Sequence, residues 1–407
     1  MARRFLIVGT FPGPFYRSLA RSLRTRGAEV ERVILNGGDL IGWRQGGCHI
    51  FRQPVEQWQA YIATLLRDRA ITDLIIFGDV VRYNAEALDA AKAAGLRCHI
   101  LENGYFRPAW VTLEHHGVNF YSDLPRKADE IIERALSFKD AVPKPITVGA
   151  ITPFHVLSYM AHYVSDYLAY PVFRNFDYPF QAGSFAQGMG HLARQMWLSF
   201  LGQKKRFLRT EEELLETKAP FFLVYLQREG DSSITRHSDF ADVGALIDHV
   251  VENFAAHAPA ETRLVIKNHP LDPWLACHEG RTLAAAIRNR VEDRVVYLDG
   301  GTFPLLTRAA LGAITINSTA ALAAIEFGRP TKLLGRAFFD IDGLTDQQPL
   351  EHFWQNPQEP DHDLFIAHRR IVLRETQIAG SYHNPAVRRA TADRLATRMI
   401  EYEGGNV

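Results

Sequence analysis

Along the first third of the chain, short β-like runs rich in apolar residues alternate with stretches of helical period. Phe5 to Val8, Val30 to Leu35, Leu74 to Phe77 and Arg97 to Leu101 read as strands. Between them, Phe15, Leu19 and Leu23 recur at spacing four, as do Trp58, Ile62 and Leu66, which puts each trio on one face of a helix. Strands alternating with amphipathic helices predict a parallel, doubly wound sheet. The alternation stops near Pro143-Lys144-Pro145. An aromatic stretch follows to about Arg209, with Tyr159, Tyr163, Tyr167 and Tyr170, then Met196, Trp197, Phe200 and Leu201. This predicts a helical bridge. The alternation resumes with Phe221 to Leu226, Leu264 to Ile266, Val295 to Leu298, Ala313 to Ile316 and Lys332 to Leu334. The helix-period residues Leu246, Ile247, Val250, Val251 and Phe254 fall between the first two of these strands. From about 361 to 402 the chain reads as helices.

The pattern divides the 407 residues into a first Rossmann-like domain at 1–145 and a helical bridging segment at 146–215. A second Rossmann-like domain follows at 216–345 and a helical tail at 346–407. The fold class is α/β, with two Rossmann-like domains facing a central cleft, a helical insert and a C-terminal helical tail. This arrangement is called GT-B and is common among nucleotide-sugar transferases. Lys plus Arg and Asp plus Glu both total 46, so the chain lacks the basic excess of a dedicated nucleic-acid binder. The three cysteines, Cys48, Cys98 and Cys277, form no CxxC pair and predict reduced thiols in a cytoplasmic protein. The apolar run at the N-terminus is too short for a signal segment, and no run approaches the roughly 18 residues of a membrane span.

In open parallel sheets, ligands bind beyond the carboxyl ends of the strands. Polar residues gather there. Asp39 closes Asn36-Gly37-Gly38-Asp39, Asp79 follows Phe77-Gly78, and Glu102-Asn103-Gly104-Tyr105-Phe106-Arg107 follows Leu101. In the second half, Gln227 follows Leu226, Lys267-Asn268-His269 follows Ile266, and Asn317-Ser318-Thr319 follows Ile316. The last triplet opens a helix, whose amides and hydroxyls suit a phosphate. Lys267 supplies a point charge and His269 a donor to the same anion. A carboxylate is needed to attack an anomeric carbon or to deprotonate an acceptor hydroxyl. Glu102 and Glu114 are the candidates, with Asp39 and Asp79 behind them; the residue types in Asn-Gly-Gly-Asp also suit a plain turn at Asp39. There is no GxGxxG after the first strand, no GxxxxGK[ST], no HExxH and no GxSxG, which excludes the commonest dinucleotide, P-loop, zinc-protease and hydrolase chemistries. No carboxylate cluster of metal-binding spacing is present either, so no metal and no cofactor is expected.

At these same residues the chain resembles the KpsS/LipB family of capsule polysaccharide proteins. The matching stretches are Glu102 to Pro108 running into Thr112-Leu113-Glu114 and Gly117-Val118-Asn119, then Leu226-Gln227 with Asp231-Ser232, and Leu264 to Asp272. Beyond them lie Thr315 to Thr319 with Glu326, Gly328 and Pro330, then Gly343-Leu344-Thr345 and Thr376-Gln377. Gly13-Pro14-Phe15 and Asn36 to Asp39 fit as well. The resemblance implies a retaining glycosyltransferase that uses CMP-β-Kdo and begins a Kdo linker on a phosphatidylglycerol-type lipid, together with a KpsC-like partner. Carried over, His269 and the Ser318-Thr319 helix start bind the CMP phosphate, Glu326 holds ribose or base, and the Glu102 to Arg107 segment faces the sugar, with Arg107 suited to the Kdo carboxylate.

One position departs from the pattern. The related KpsC-type motif reads Glu-Asp-Gly, and here Asn103 precedes the glycine. An amide is neither nucleophile nor base, so the carboxylate must come from Glu102, Glu114 or another residue. Asn103 also motivates two alternatives: a non-catalytic capsule synthesis or export subunit that keeps the fold, and a GT-B transferase using another nucleotide sugar. Peripheral contact with the inner membrane is expected from residues 196–209, where Trp197, Leu198, Phe200 and Leu201 stand beside Lys204, Lys205 and Arg206.

Overall fold

The computed structural model describes residues 3–11, 13–148, 153–177, 203–228, 231–269, 278–299 and 302–404. The first half contributes β1 (Arg4–Ile7), β2 (Glu29–Ile34), β3 (Cys48–Ile50), β4 (Asp73–Phe77), β5 (Arg97–Asn103) and β6 (Trp110–Glu114). The second contributes β7 (Phe221–Tyr225), β8 (Arg263–Lys267), β9 (Val295–Leu298), β10 (Gly312–Thr315) and β11 (Thr331–Leu333), and the tail adds β12 (Gln377–Ala379). The first sheet runs β12-β6-β5-β4-β1-β2-β3 and the second β11-β10-β7-β8-β9. Strands β1 to β5 are parallel, with β6 and β12 added antiparallel at one edge. The second sheet is parallel throughout. Each therefore contains the doubly wound order, in which the first strand lies centrally and the chain moves to one side and then the other.

The central strands are largely apolar on both faces because both faces are covered, and the charged residues within them, Glu31, Arg32, Asp73 and His99, are buried in pairs. Phe5 and Ile7 of β1 pack with Phe15, Leu19 and Leu23, while Leu6 and Val8 pack with Trp58, Ile62 and Leu66. In the second sheet, Phe222 and Val224 meet the helix Val243–His257, and Leu223 and Tyr225 meet Leu214 and Leu306. A further core joins the halves. Tyr105, Leu124 and Ile131 pack with Leu322, Ile325 and Phe338, and with Ile371 and Val372 from the helix His362–Glu375.

The tail is helical as expected, and it also returns to the first half. β12 pairs with β6, and Leu395 and Met399 of the helix Pro385–Glu401 join the core beside Phe15 and Leu19. In the bridging region, the helix Pro153–Leu168 crosses the helix Gly37–Trp43 closely. A Cβ on Gly37 would collide with the Ser165 carbonyl, and one on Gly38 with the His162 ring. The two glycines after β2 are thus required by a helix crossing. Asp166 completes it by accepting the Gly38 amide at 2.7 Å.

His368 lies in the core between the halves, fully buried and stacked on Phe338 at 5.7 Å. Among the described residues neither ring nitrogen has a hydrogen-bond partner, and burial pushes its pKa down to about 4. His368→Leu is expected to raise stability by about 1 kcal/mol, since it removes an unsatisfied buried polar group. The unfolded imidazole takes up its proton near pH 6.5, whereas the folded one waits until about 4. The unfolded state thus binds more protons in that window, and stability falls as pH falls through it. Urea titrations from pH 7 to 4 should show this slope in the wild type and a flatter one in the variant.

Candidate active-site cleft

Strand β5 carries the chain to Glu102 and Asn103. Glu102 Oε1 accepts the Asn103 amide at 2.7 Å and the Asn103 side-chain nitrogen at 3.2 Å. Burial raises the Glu102 carboxyl to about 6; the nearby Asp79 charge adds to this, and the Asn103 amide and Arg107 oppose it. Arg107 is exposed, and its Nε donates to the Gly104 carbonyl at 3.3 Å. Among the described residues it forms no ion pair with Glu102 or any other carboxylate. A Cβ on Gly104 would collide with the Trp110 carbonyl, so packing against β6 already accounts for this glycine.

His269 follows β8 in the other half, half-buried, with its pKa lowered to about 4. Burial is the main cause; Asp231 opposes it, and the charges of Arg228, Arg107 and Lys267 add to it. The Arg107 charge therefore acts on both Glu102 and His269, a carboxylate of one half and an imidazole of the other. His269 is aligned through its neighbour: Asn268 accepts the His269 amide at 2.9 Å and donates to Asp299 at 2.7 Å. Gln227 and Asn317, at the ends of β7 and β10, are joined by a 2.5 Å hydrogen bond, and Asn317 also donates to the Arg336 carbonyl. Ser318 and Thr319 precede the helix Ala320–Glu326. Ser318 Oγ accepts the Ala320 amide at 3.3 Å, and Thr319 forms no side-chain cap bond.

The remaining candidates lie elsewhere. Glu114, at the end of β6, is 7% exposed, and both its oxygens are engaged, by Tyr105 Oη at 2.6 Å and by Ser122 Oγ. Burial raises its carboxyl to about 7 against those hydrogen bonds. Glu114 fixes Tyr105 and, through it, the turn after Glu102. Asp79 is buried and accepts the Val118 amide at 2.9 Å. Asp39 is fully buried in a 2.6 Å ion pair with Arg32, inside the first half. Lys267 is buried, and the Glu211 and Asp299 charges partly offset the burial that lowers its pKa. Glu326 is exposed at the far end of its helix from Ser318, 3.8 Å from Arg369, because seven residues carry it about 10 Å along the axis. The structure thus joins Glu102 to Asn103, sets Arg107 within electrostatic reach of both Glu102 and His269, and joins Gln227 to Asn317; it does not bring Glu326 or Asp39 to them.

Two tail residues reach the cleft that no strand-end rule could find. Tyr382 Oη donates to the Glu102 carbonyl at 2.9 Å, and His383 stacks on Phe11 after β1 at 5.2 Å. Gln377 of β12 accepts the Tyr105 amide at 2.9 Å. Residues 196–202, in the stretch expected to touch a membrane, lie outside the described residues. Among the described residues no helix is long and apolar enough to cross one, and no group of three or more His, Cys, Asp or Glu could hold a metal ion.

Two doubly wound sheets whose polar strand ends converge from both halves define a protein of the GT-B class. More particularly, the chain belongs to the capsule polysaccharide biosynthesis protein family, whose model matches residues 72–383. It is 32% identical over 395 residues to the capsule polysaccharide modification protein LipB of Neisseria meningitidis serogroup A, covering 94% of this chain and 92% of LipB. It is 30% identical over 392 residues to the capsule polysaccharide export protein KpsS of Escherichia coli, covering 94% and 97%. Among solved structures, the β-Kdo 2,7 transferase KpsC of Thermosulfurimonas dismutans aligns with a TM-score of 0.44 and 13% identity, over 90% of this chain and 89% of that one.

Proposed function

We propose that this protein transfers Kdo from CMP-β-Kdo to a phosphatidylglycerol-type lipid acceptor, with retention at the anomeric carbon. The observation that carries the reading is the grouping of Glu102, Arg107 and His269 across the cleft. Arg107, with no carboxylate partner among the described residues, pairs with the Kdo carboxylate. Glu102 attacks the anomeric carbon, CMP leaves, and the acceptor hydroxyl then displaces Glu102 from the opposite face as its proton passes to a base. His269 and the Ser318-Thr319 turn receive the CMP phosphate. Membership of the capsule polysaccharide family supports the pathway, and the reaction works beside a KpsC-like transferase at the inner membrane. No metal or cofactor is invoked.

The test is release of CMP from CMP-β-Kdo that depends on added lipid acceptor. Hydrolysis or release at the same rate with and without lipid would refute the acceptor assignment, and no release from CMP-Kdo under any condition would refute the donor. His269→Ala should weaken CMP binding about tenfold or more, the loss of one charge-assisted contact. Calorimetry giving unchanged affinity in a folded variant would remove His269 from the site.

A further inference from the structure

Three arginines gather where the halves meet beside the cleft. Arg126 and Arg336 both stand over the Phe120 ring, at 4.8 and 5.3 Å from its centroid. Arg126 belongs to the first half and Arg336 follows β11 of the second. Arg336 Nη2 donates to the Arg236 carbonyl at 2.9 Å, and the Arg236 charge acts on both Asp79 and His237. All three are exposed, and among the described residues none has a carboxylate within ion-pair distance. Their backing is His237, 3% exposed, whose ring lies 5.7 Å from Phe120 and 5.4 Å from Tyr121. Its Nδ1 has no hydrogen-bond partner among the described residues. Asp79 and Asp231 act on this region from beyond ion-pair distance of the three guanidinium groups, so an anion at the seam relieves the remaining repulsion among them.

We infer that this arginine seam binds the phosphodiester of the acceptor. The inference rests on the transferase reading above. The loop under the seam ties it to the carboxylates of the first half: Val118 donates its amide to Asp79, Asn119 donates its amide to Tyr105 Oη, and Ser122 donates to Glu114. The Asp79 charge in turn acts on Glu102, so an anion fixed at Arg126 and Arg336 holds its attached glycerol on the Asp79 side of the cleft, as an attacking hydroxyl requires. It also bridges the two halves, so acceptor binding and cleft closure become one event. Arginine suits the task because its planar fork meets two phosphate oxygens at once.

The full chain is titrated by calorimetry with dihexanoyl phosphatidylglycerol below its micellar concentration, with glycerophosphoglycerol and with CMP. Arg126→Gln and Arg336→Gln should each weaken both phosphodiester probes about tenfold and change CMP affinity less than about twofold. Arg336→Lys keeps the charge without the fork and should fall between; it serves if the glutamine variant fails to fold. Unchanged phosphodiester affinity in folded variants overturns the inference. So does an equal loss of CMP affinity, which would assign the seam to the donor, or binding of the acyl lipid but not of glycerophosphoglycerol, which would assign recognition to the chains. Phosphodiester binding that depends on the arginines, in a protein that binds no CMP, leaves the seam standing and removes the donor assignment instead.

Discussion

Glu102→Gln is expected to lower turnover of CMP-β-Kdo with lipid acceptor by at least about a hundredfold, while CMP affinity stays near that of the wild type. The amide keeps the shape and the hydrogen bond to Asn103 but cannot form a covalent bond to the anomeric carbon. A variant that retained more than about a tenth of wild-type turnover, less than about 1.4 kcal/mol in barrier, would exclude Glu102 as nucleophile, and Asp79 would become the next carboxylate to test. The pH dependence is a second readout. The Glu102 carboxyl is raised to about 6, mainly by burial. A nucleophile must be ionised, so turnover should fall as pH drops through about 6. Arg107 lowers that pKa, so Arg107→Gln should move the acid limb to higher pH as well as raise KM for the donor. An acid limb that stays in place in Arg107→Gln would break the link between the two residues.

Asp73→Asn is expected to destabilise the protein by about 2–4 kcal/mol, because it leaves the partly exposed Arg3 and Arg97 without the buried carboxylate they share. Asp73 is fully buried and receives Arg3, Arg97 at 2.9 and 3.0 Å, and His99 at 2.9 Å. Arg3 also donates to the carbonyls of Ile400 at 2.7 Å and Tyr402 at 3.1 Å. One carboxylate thus fastens the C-terminal helix to the start of β1. Burial would raise the Asp73 carboxyl, but the hydrogen bonds from His99, Arg3 and Arg97 outweigh it and hold it well below the usual range. A depressed carboxyl contributes stability that is present above the unfolded value near 4 and is lost as pH falls below it. Urea midpoints of wild type and Asp73→Asn should therefore differ most at neutral pH and converge in acid. Equal midpoints at pH 7 would show that the cluster is not a fastening.

The periodicity of the chain was enough to determine two parallel α/β halves, because strands covered on both faces are mostly apolar and the helices covering them must carry a stripe every three or four residues. Phe221 to Tyr225 and Leu74 to Phe77 could be read for that reason. The strand ends were legible too, since a doubly wound sheet sends its polar residues there, and this placed Glu102, Arg107 and His269 among the candidates. What each candidate does was decided by tertiary contacts. Asp39 and Glu102 both follow a strand, yet Asp39 is sealed against Arg32, while Glu102 faces an arginine with no carboxylate partner among the described residues. Glu114 is bound on both oxygens by residues that no spacing rule connects to it. Asn36 to Asp39 could be read as a strand-end turn, and only the crossing of Pro153–Leu168 showed what Gly37 and Gly38 make room for. β12, Tyr382 and His383 come from far along the chain, and the arginine seam exists only where the halves touch. Local sequence records which face of an element is buried; it does not record which distant side chain arrives to neutralise a charge, and that pairing determines whether a polar residue holds the fold together or is left to meet a substrate.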